Sequence, residues 1–504
     1  MKISKAEFAR RRKNLMGMMD KHTIAIIPGA REVTRSRDTE YPFRQNSDLF
    51  YLTGFEEPDA VLVLVPGRRQ GQVVLFCRER DPDMELWNGY RLGPEGAVAY
   101  LGVDDAFPID DLDEILPGLI EGTQRIYYSM GHDDVFDQRV MGWVNQIRKL
   151  VRTGAAPPAD FTDLAFLLHE QRLIKSAAEV RVMRKAGEIS AAAHVRAMQE
   201  CQPGRYEYHL EAAIQHTFAE HGARFSAYNS IVGSGANACV LHYTENASKM
   251  RAGDLVLIDA GCEYQGYAAD ITRTFPVSGQ FSAEQRAIYD VVLEAQRAAI
   301  AKVRPGNTWN QPHDATVRVI TRGLVKLGLL RGKERELIKA EAYRDFYMHR
   351  AGHWLGLDVH DVGEYRVDGR WRQLEPGMAL TIEPGIFASP AKRGSYVDIV
   401  NSEVCPMDQA LVSLLAAAVA FVGLHFALSH PLRPSLVSRL GEGGFRLVYS
   451  LVALASFVWM VQAFRAVGPG GESLWNGMGE LPWLLASLLR QLIRQPMCHE
   501  QPFP

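Results

Sequence analysis

The middle of the chain carries four acidic or imidazole side chains that could together bind metal ions. Asp259 ends an apolar run, VLIDAG, and Asp270 follows eleven residues later in YAADITRTF. Glu383 ends a second apolar run, LTIEPG, and His353 lies within MHRAGHWLGLDVHDVG. A carboxylate at the end of a buried strand is unfavourable unless it is paired or binds a cation. Taken singly, Asp259 could be a turn acid and His353 a hydrogen-bonded core histidine. Four such residues together weigh against these single interpretations and favour a site in which the acids are paired or bind a metal.

The segments around these residues must position them, and they predict an α/β (α+β) protein. Residues 1–160 contain the strand-like runs TIAIIPGA, AVLVLVPG and QVVLFCRE with helical segments between them, which is typical of a mixed α/β domain. Residues 161–200 have apolar residues three or four apart, so we expect a long connecting helix there. Strands are then predicted at DLVLIDAGCEY and YAADITRTF, followed by two helical stretches and by paired strand candidates at MALTIEPGIF and SYVDIVNSEV. A chain of 504 residues is expected to form two or three domains.

Composition excludes several classes of protein. There are 56 Lys+Arg and 59 Asp+Glu, a net charge of −3, so nucleic acid is not an expected partner. The six cysteines are scattered without a CxxC pair, which argues against a disulfide framework or a thiolate zinc site and suits a reducing compartment. The first residues, MKISKAEFARRRKN, have a charged helical pattern without an apolar stretch. We therefore expect the catalytic region to be cytoplasmic.

The last fifth of the chain differs in composition. Of the 115 charged residues, only ten lie among the 96 positions from Gln409 onward. Residues 410–428 and 447–464 form apolar segments of 19 and 18 residues, close to the roughly 20 that cross a membrane. Two buried core helices would show the same pattern. We expect membrane association through residues 410–464. The topology stays open, because the loop arginines and the large N-terminal region favour opposite orientations.

Several sequence blocks resemble one enzyme family. IDAGCEYQGYAADITRTFPVSG, HYTEN, FYMHRAGHWLGLDVHDVG and LTIEPGIF are similar to the signature blocks of aminopeptidase P, the Xaa-Pro aminopeptidase of the pita-bread metallopeptidases. TRSRDTEYPFRQNSDLFYLTGFEEPDAV resembles that enzyme's first domain, and the likeness covers about residues 1–405. The resemblance implies an N-terminal domain at 1–160 and a pita-bread catalytic domain at 161–405, truncated at its last strands. Prolidases and creatinase share both domains, whereas methionine aminopeptidases lack the first.

The resemblance also implies an activity, which is release of an N-terminal residue preceding proline by a hydroxide that bridges two manganese ions. Asp259 would bind one ion, Asp270 would bridge both, and His353 and Glu383 would hold the other. An oxygen-rich set with one imidazole agrees with manganese. Asp38 matches an acid near the pocket. The expected partners are peptides with proline second and further copies of the chain, joined through the N-terminal domain. The residues implied to act in catalysis are His242, His349, His360 and Glu383.

One family position is altered in this sequence. The family's last ligand strand reads roughly G-I-R-I-E-D-D-I-V, and its Glu bridges both metals, whereas the aligned stretch here is KRGSYVDIV. Tyr396 occupies the Glu position, Gly394 the Arg position, and Phe387 a position that is often Tyr. A neutral phenol compensates two cations poorly, so we expect a weakened second metal site. Asp398, about 6.6 Å further along the strand, and Glu403 are alternative ligands. The alternative function is a catalytically impaired peptide-binding module tethered to a membrane.

The tail resembles a second, unrelated family. HPLRPSLVSRLGEGGFRLVYSLVALASFVWMVQAFRAV is similar to the NnrU-type bacterial integral membrane proteins over about 40 residues. This implies a hydrophobic helical membrane segment at 409–504, fused to most of an aminopeptidase P. His425 and His430 could bind a metal or haem there, although histidines near a helix end are more often interfacial. A natural fusion and a frameshift or assembly artefact predict the same sequence.

Overall fold

The structure is a computed structural model that describes residues 2–388, 397–400, 403–406, 421 and 433–467. It divides into two compact units, Met1–Met407 and Asp408–Pro504. Several sequence predictions lie outside the described residues. They concern Tyr396, Gly394, His425, His430 and almost all of the apolar segment 410–428.

A six-stranded mixed sheet forms the centre of the N-terminal part. Its strand order is β6–β5–β4–β1–β7–β8 once the strands are numbered along the chain, and β1 is antiparallel to β4 and parallel to β7. Alternating residues of β1 enter two cores: Ile24 and Ile26 pack with helices α5 and α6, and Ala25 and Ile27 with α1 and α2. The strands predicted at TIAIIPGA, AVLVLVPG and QVVLFCRE are confirmed. The elements are α1 (Lys5–Met18), β1 (Thr23–Pro28), β2 (Thr34–Ser36), β3 (Thr39–Glu40), α2 (Ser47–Thr53), β4 (Val61–Leu64), β5 (Val73–Cys77), α3 (Pro82–Asn88), α4 (Gly93–Leu101), β6 (Asp105–Pro108), α5 (Leu112–Ile120), β7 (Arg125–Tyr127), α6 (Asp134–Lys149) and β8 (Asp160–Thr162).

Two helices connect this sheet to the central part, α7 (Ala165–Leu173) and α8 (Ala177–Glu200). The single long helix predicted over 161–200 is therefore wrong. Ser176 begins a new helix by a capping box, in which its side chain accepts from the Glu179 N–H and the Glu179 side chain accepts from the Ser176 N–H. Lys175, just before this cap, donates its backbone N–H to the Gly377 carbonyl at 2.7 Å.

The central part consists of short antiparallel sheets with helices between them. Strands β10, β11 and β14 form one sheet, β17 pairs with β20, and β18 pairs with β19. The strands predicted at DLVLIDAGCEY, YAADITRTF and MALTIEPGIF are confirmed, and so is the strand prediction for SYVDIVNSEV over its described residues. The elements are α9 (Glu207–Glu220), β9 (Phe225–Ser226), β10 (Ile231–Ser234), β11 (Leu255–Asp259), β12 (Cys262–Tyr264), β13 (Tyr267–Ala268), β14 (Thr272–Pro276), α10 (Ala283–Ile300), α11 (Asn310–Lys326), α12 (Glu334–Lys339), β15 (Arg366–Val367), β16 (Arg370–Trp371), β17 (Ala379–Ile382), β18 (Gly385–Ala388), β19 (Val397–Val400) and β20 (Glu403–Pro406).

In the described part of the second unit, one extended helix, α13 (Arg433–Val467), contains the predicted apolar segment 447–464. The helix is interrupted at Gly441, where φ is 69° and ψ is 167°. Among the residues that the structure describes, no helix is both long and apolar enough to cross a membrane. The transmembrane prediction for 447–464 is therefore not confirmed.

Candidate active site

Three acidic and imidazole side chains converge near the ends of strands in the central part. The ligand-type atoms of Asp270, His353 and Glu383 lie within 4.8 Å of one another. His353 Nε2 is 3.2 Å from Asp270 Oδ2 and 3.1 Å from Glu383 Oε1. Asp270 is buried, and the other two are partly buried. The structure thus brings together three of the four residues that the sequence singled out as ligands.

Asp259, the fourth, is linked to this group through a tyrosine. It ends β11, and Tyr228 Oη lies 2.5 Å from Asp259 Oδ1 and 3.2 Å from Asp270 Oδ1. The hydroxyl has one proton, which it donates to one carboxylate at a time. Burial and the charge of Asp270 raise the pKa of Asp259. Burial also raises the pKa of Asp270, although the hydrogen bond from His353 opposes this. The sequence around Tyr228, FSAYNS, gave no signal for this role.

Two glycines let the segments that carry these residues approach closely. A Cβ on Gly261 would lie 1.8 Å from the Ala269 carbonyl oxygen, just before Asp270. A Cβ on Gly352 would lie 1.9 Å from the Thr381 carbonyl oxygen in β17. Neither contact admits any side chain, because both partners are backbone atoms. Glycine is therefore required for steric reasons at both positions, one just before His353 and the other two residues after Asp259.

Hydrogen bonds fix the orientation of His353. Its backbone N–H donates to Thr381 Oγ1 at 3.0 Å, and its carbonyl accepts from the Thr381 N–H at 2.9 Å. Its ring Nδ1 lies 2.8 Å from the Trp354 carbonyl oxygen. A carbonyl can only accept, so Nδ1 carries a proton and Nε2 faces the carboxylates. Burial opposes protonation, but the hydrogen bonds and charges of Asp270 and Glu383 raise the pKa of His353 to about 10.

The donor set of this cluster fits a divalent cation. The carboxylates of Asp270 and Glu383 lie against the imidazole of His353, and the third acid, Asp259, is linked to Asp270 through Tyr228, so three acids share one imidazole. Burial alone would raise the pKa of Glu383, but His353 lowers it. Glu383 Oε1 is buried and lies 3.1 Å from its ion-pair partner, His353 Nε2. Buried carboxylates in excess are stabilised by a bound cation, and an oxygen-rich set suits a hard one.

The three predicted pocket histidines lie around this cluster in different settings. His360 is exposed, and its ring stands perpendicular to that of His353 with the centroids 4.3 Å apart. The ring of His349 packs edge-on against Phe387, with 5.6 Å between centroids. Burial lowers the pKa of both His349 and His360, so both rings are mainly neutral near pH 7. His242 is exposed, and its charge when protonated also lowers the pKa of His360.

A buried carboxylate that the sequence did not single out holds the loop containing His242. Glu207, at the start of α9, accepts from Tyr243 Oη at 2.9 Å and from the Ser248 N–H at 2.8 Å. It also accepts from the N–H and the hydroxyl of Ser234, each at 2.7 Å. Asn237 Nδ2 is a fifth donor at 3.2 Å. All five donors are neutral and lie far from Glu207 in sequence, so no local pattern marks it.

The residues proposed as alternative ligands lie near the end of the described region. In the backbone pairing, Asp398 lies opposite Phe387, and Glu403 lies opposite Ile382. Phe387, which stands where the family often has Tyr, is buried. Asp38, expected near the pocket, lies in the exposed turn between β2 and β3.

Comparisons with known proteins match both parts of the first unit and the tail. Metallopeptidase family M24 matches residues 181–405, the aminopeptidase P N-terminal domain matches 8–127, and the NnrU protein family matches 413–491. An Xaa-Pro aminopeptidase of Escherichia coli (strain K12) is 51% identical over 389 residues, which is 77% of this chain and 88% of that protein.

Solved structures show the same likeness. The structure of Pseudomonas aeruginosa aminopeptidase PepP is 57% identical, with a TM-score of 0.80 over 81% of this chain and 93% of that one. Zinc-substituted E. coli aminopeptidase P in complex with product is 48% identical, with a TM-score of 0.79 over 81% of this chain and 94% of that one.

Proposed function

The chain belongs to the Xaa-Pro aminopeptidases of metallopeptidase family M24, and from this we propose that it releases an N-terminal residue that precedes proline. The resemblances predicted for residues 1–405 and for the tail are confirmed by the family matches. The observation that carries the proposal is the cluster in which carboxylate oxygens of Asp270 and Glu383 lie 3.2 and 3.1 Å from His353 Nε2, with Asp259 joined to Asp270 through Tyr228. Such a cluster is suited to a metallo-exopeptidase and would be unfavourable without a cation.

We propose that Asp259, Asp270, His353 and Glu383 hold the catalytic metal, with two manganese ions as the expected occupants. Hard carboxylate oxygens with one imidazole are compatible with manganese. When bound, the cations supply Lewis acidity that activates water and balances negative charge on the scissile carbonyl.

The protein's own groups then have separate tasks. Glu383, whose pKa His353 lowers and which is therefore ionised near pH 7, can accept a proton from the attacking water. As the bond between the carbonyl carbon and the proline nitrogen breaks, that proton passes from Glu383 to the nitrogen, which leaves as an amine. His360, neutral near pH 7, can donate a ring N–H to the developing oxyanion. Neutral His349 donates its one ring N–H, at Nδ1, to the Arg350 carbonyl at 2.7 Å, so its Nε2 is available to accept a hydrogen bond. His242, exposed on its loop, is available to contact the peptide.

A comparison of two substrates tests this proposal. Full-length protein supplied with Mn²⁺ is expected to remove the first residue of an Xaa-Pro peptide at least about 100-fold faster than that of a matched Xaa-Ala peptide. Equal rates on the two peptides, or cleavage only at internal bonds, would contradict the proposed specificity.

Tyr396 supports a second candidate function. In it, the chain is a peptide-binding module whose site has impaired catalysis. The sequence has a phenol where the family has a carboxylate between the two cations, which leaves their repulsion less compensated. We expect Tyr396→Glu to raise both the number of Mn²⁺ ions bound and the turnover rate, and Tyr396→Phe, the matched control, to raise neither. The readouts are metal content after gel filtration and initial rates. If wild-type protein already binds two ions tightly and Tyr396→Glu changes nothing, Asp398 or Glu403 becomes the proposed ligand.

The remaining organisation is also a proposal. We propose domains at 1–160 and 161–405, a cytoplasmic catalytic region, and assembly of further copies through the N-terminal domain. Membrane association through the tail is supported by the NnrU match to residues 413–491.

A further inference from the structure

A buried ion network holds the loop segment that runs from His353 through His360 to Asp361. Arg172, at the end of α7, places Nη2 2.8 Å from Asp358 Oδ2 and 2.7 Å from Asp361 Oδ1. Lys175 Nζ lies 2.8 Å from the other oxygen of Asp361. The side chains of Arg172, Lys175 and Asp361 are only 3%, 1% and 2% exposed. A pair of cations thus holds both carboxylates of this loop.

The N-terminal domain supplies the other side of the network. Asp48 in α2 accepts a hydrogen bond from Arg172 Nη1 at 2.7 Å. Its neighbour Ser47 donates to Asp358 Oδ1 at 2.6 Å, and Arg44 Nη2 donates to the Leu357 carbonyl at 2.7 Å. The loop is therefore held from the linker helix and from the N-terminal domain at once.

Backbone contacts connect this network to the ring of His353. The Asp361 N–H donates at 3.0 Å to the Trp354 carbonyl, which is the same oxygen that lies 2.8 Å from His353 Nδ1. A Cβ on Gly356 would lie 2.0 Å from Asp361 Oδ2 and 2.9 Å from Lys175 Cε, so the loop backbone packs directly onto the ion pair. The position of Asp361 thereby constrains the carbonyl that orients the imidazole.

We propose that Arg172, Lys175 and Asp361 are positioning residues for the catalytic site, and that Asp48 makes the N-terminal domain part of this positioning. The proposal rests on the proposed function, because it assigns His353 and His360 to that site. A buried ion network is a weak source of net stability, since desolvation offsets much of the attraction between its charges. The network contributes more to the geometry of the site than to stability, because it fixes the direction of several hydrogen bonds.

Two variants and a control in the full-length protein test this. Asp361→Asn removes the central charge while preserving shape, and Asp48→Asn removes the contribution of the N-terminal domain. Glu170→Gln is the matched control, because Glu170 lies on the same helix α7 and pairs with Arg372 instead of the loop. For each protein, calorimetric titration gives the dissociation constant for Mn²⁺, thermal unfolding gives Tm, and rates at saturating Mn²⁺ give kcat and KM on an Xaa-Pro peptide.

Asp361→Asn is expected to weaken Mn²⁺ binding by about tenfold or more, as loss of groups that orient a ligand usually does. Asp48→Asn is expected to lower kcat about three- to tenfold with KM within twofold, and Asp48→Glu to recover most of that loss. Glu170→Gln should stay within twofold of wild type in every readout. If Asp361→Asn fails to fold, the Mn²⁺ affinity and kcat of Asp48→Asn alone test the positioning role.

Folded Asp48→Asn and Asp361→Asn proteins with wild-type Mn²⁺ affinity and wild-type kcat would overturn the positioning role. A change in Tm alone would overturn it too, because that result assigns the network to stability. If the wild type does not hydrolyse Xaa-Pro peptides, the proposed function fails, whereas the Mn²⁺ titrations still decide the positioning of His353.

Discussion

At the scale of single residues, protons and cations compete for the same carboxylate oxygens. Tyr228 shares its hydroxyl between Asp259 and Asp270, and His353 carries a positive charge toward Asp270 and Glu383. A bound cation would take over the charge that the imidazolium provides. Metal binding is therefore expected to release protons and to strengthen as pH rises.

Removal of the Tyr228 hydroxyl tests whether its hydrogen bonds to the carboxylates support metal binding. Tyr228→Phe leaves Asp259 without its hydrogen bond at 2.5 Å, so its carboxylate is less well oriented and holds its proton more firmly. We expect the Mn²⁺ dissociation constant to rise by about tenfold. Tyr206→Phe is the control, because Tyr206 stacks on Tyr208 at the surface and should change the affinity less than twofold. Isothermal titration at pH 7 measures both, and an unchanged affinity for Tyr228→Phe would remove it from the site.

At the scale of elements, the site depends on loops and strands that cross at backbone contact. The turn after β11 lies against the segment before Asp270, and the loop carrying His353 lies against β17. These crossings bring together residues that are more than 80 positions apart, namely Asp259 and Asp270 with His353 and Glu383. Small residues at the crossing points are therefore as necessary as the ligands.

A comparison of two glycine-to-alanine substitutions distinguishes the steric clash at Gly261 from the general effect of replacing a glycine by alanine. Gly261→Ala puts a Cβ 1.8 Å from the Ala269 carbonyl oxygen, so we expect it to lower the free energy of unfolding by at least about 3 kcal/mol. Gly187→Ala, in the middle of α8, has no neighbour within 4 Å and should leave stability unchanged or raise it by up to about 1 kcal/mol. Urea unfolding followed by circular dichroism measures both. Equal effects of the two substitutions would show that the close approach at Gly261 is not required.

The sequence predicted most strands and the four ligand candidates because each signal is local. Asp259 and Glu383 stand at the ends of apolar runs, and that contrast is visible within six residues. The roles of Tyr228, Glu207 and Arg172 could not be predicted, because their partners are up to 189 positions away and meet them only in the folded chain. The helix break at Ser176 was missed although its capping box is local, since the apolar spacing continues through it.

At the scale of the first unit, the candidate metal-binding cluster lies next to the buried face of α8. His194 of α8 is buried, and its Nε2 lies 3.0 Å from the carbonyl of Ala260, the residue after Asp259. Burial lowers its pKa from 6.5 to about 4. Protonation of this ring therefore opposes folding next to the site.

The free energy of unfolding is therefore expected to decrease as the pH is lowered. The unfolded chain takes up a proton at His194 near pH 6.5 and the folded chain only near pH 4, so stability is lost as pH falls through that interval. The expected loss is on the order of 3 kcal/mol. His194→Gln, which keeps an N–H donor for the Ala260 carbonyl, should show a smaller loss, whereas exposed His132→Gln should follow wild type. Urea midpoints at pH 7 and 4.5 measure the difference, and identical pH dependence in all three proteins would contradict the account.

Activity as a function of bound Mn²⁺, in wild type and in Asp259→Asn, tests whether Xaa-Pro hydrolysis depends on metal held by the carboxylate cluster. Protein stripped of metal with a chelator should be inactive and should recover as Mn²⁺ is added back, in proportion to the ions bound. Asp259→Asn, folded by circular dichroism, should lose at least about 100-fold in kcat/KM, because a neutral amide cannot compensate a divalent cation as a carboxylate does. Full activity in the stripped protein, or wild-type turnover in Asp259→Asn, would contradict this dependence.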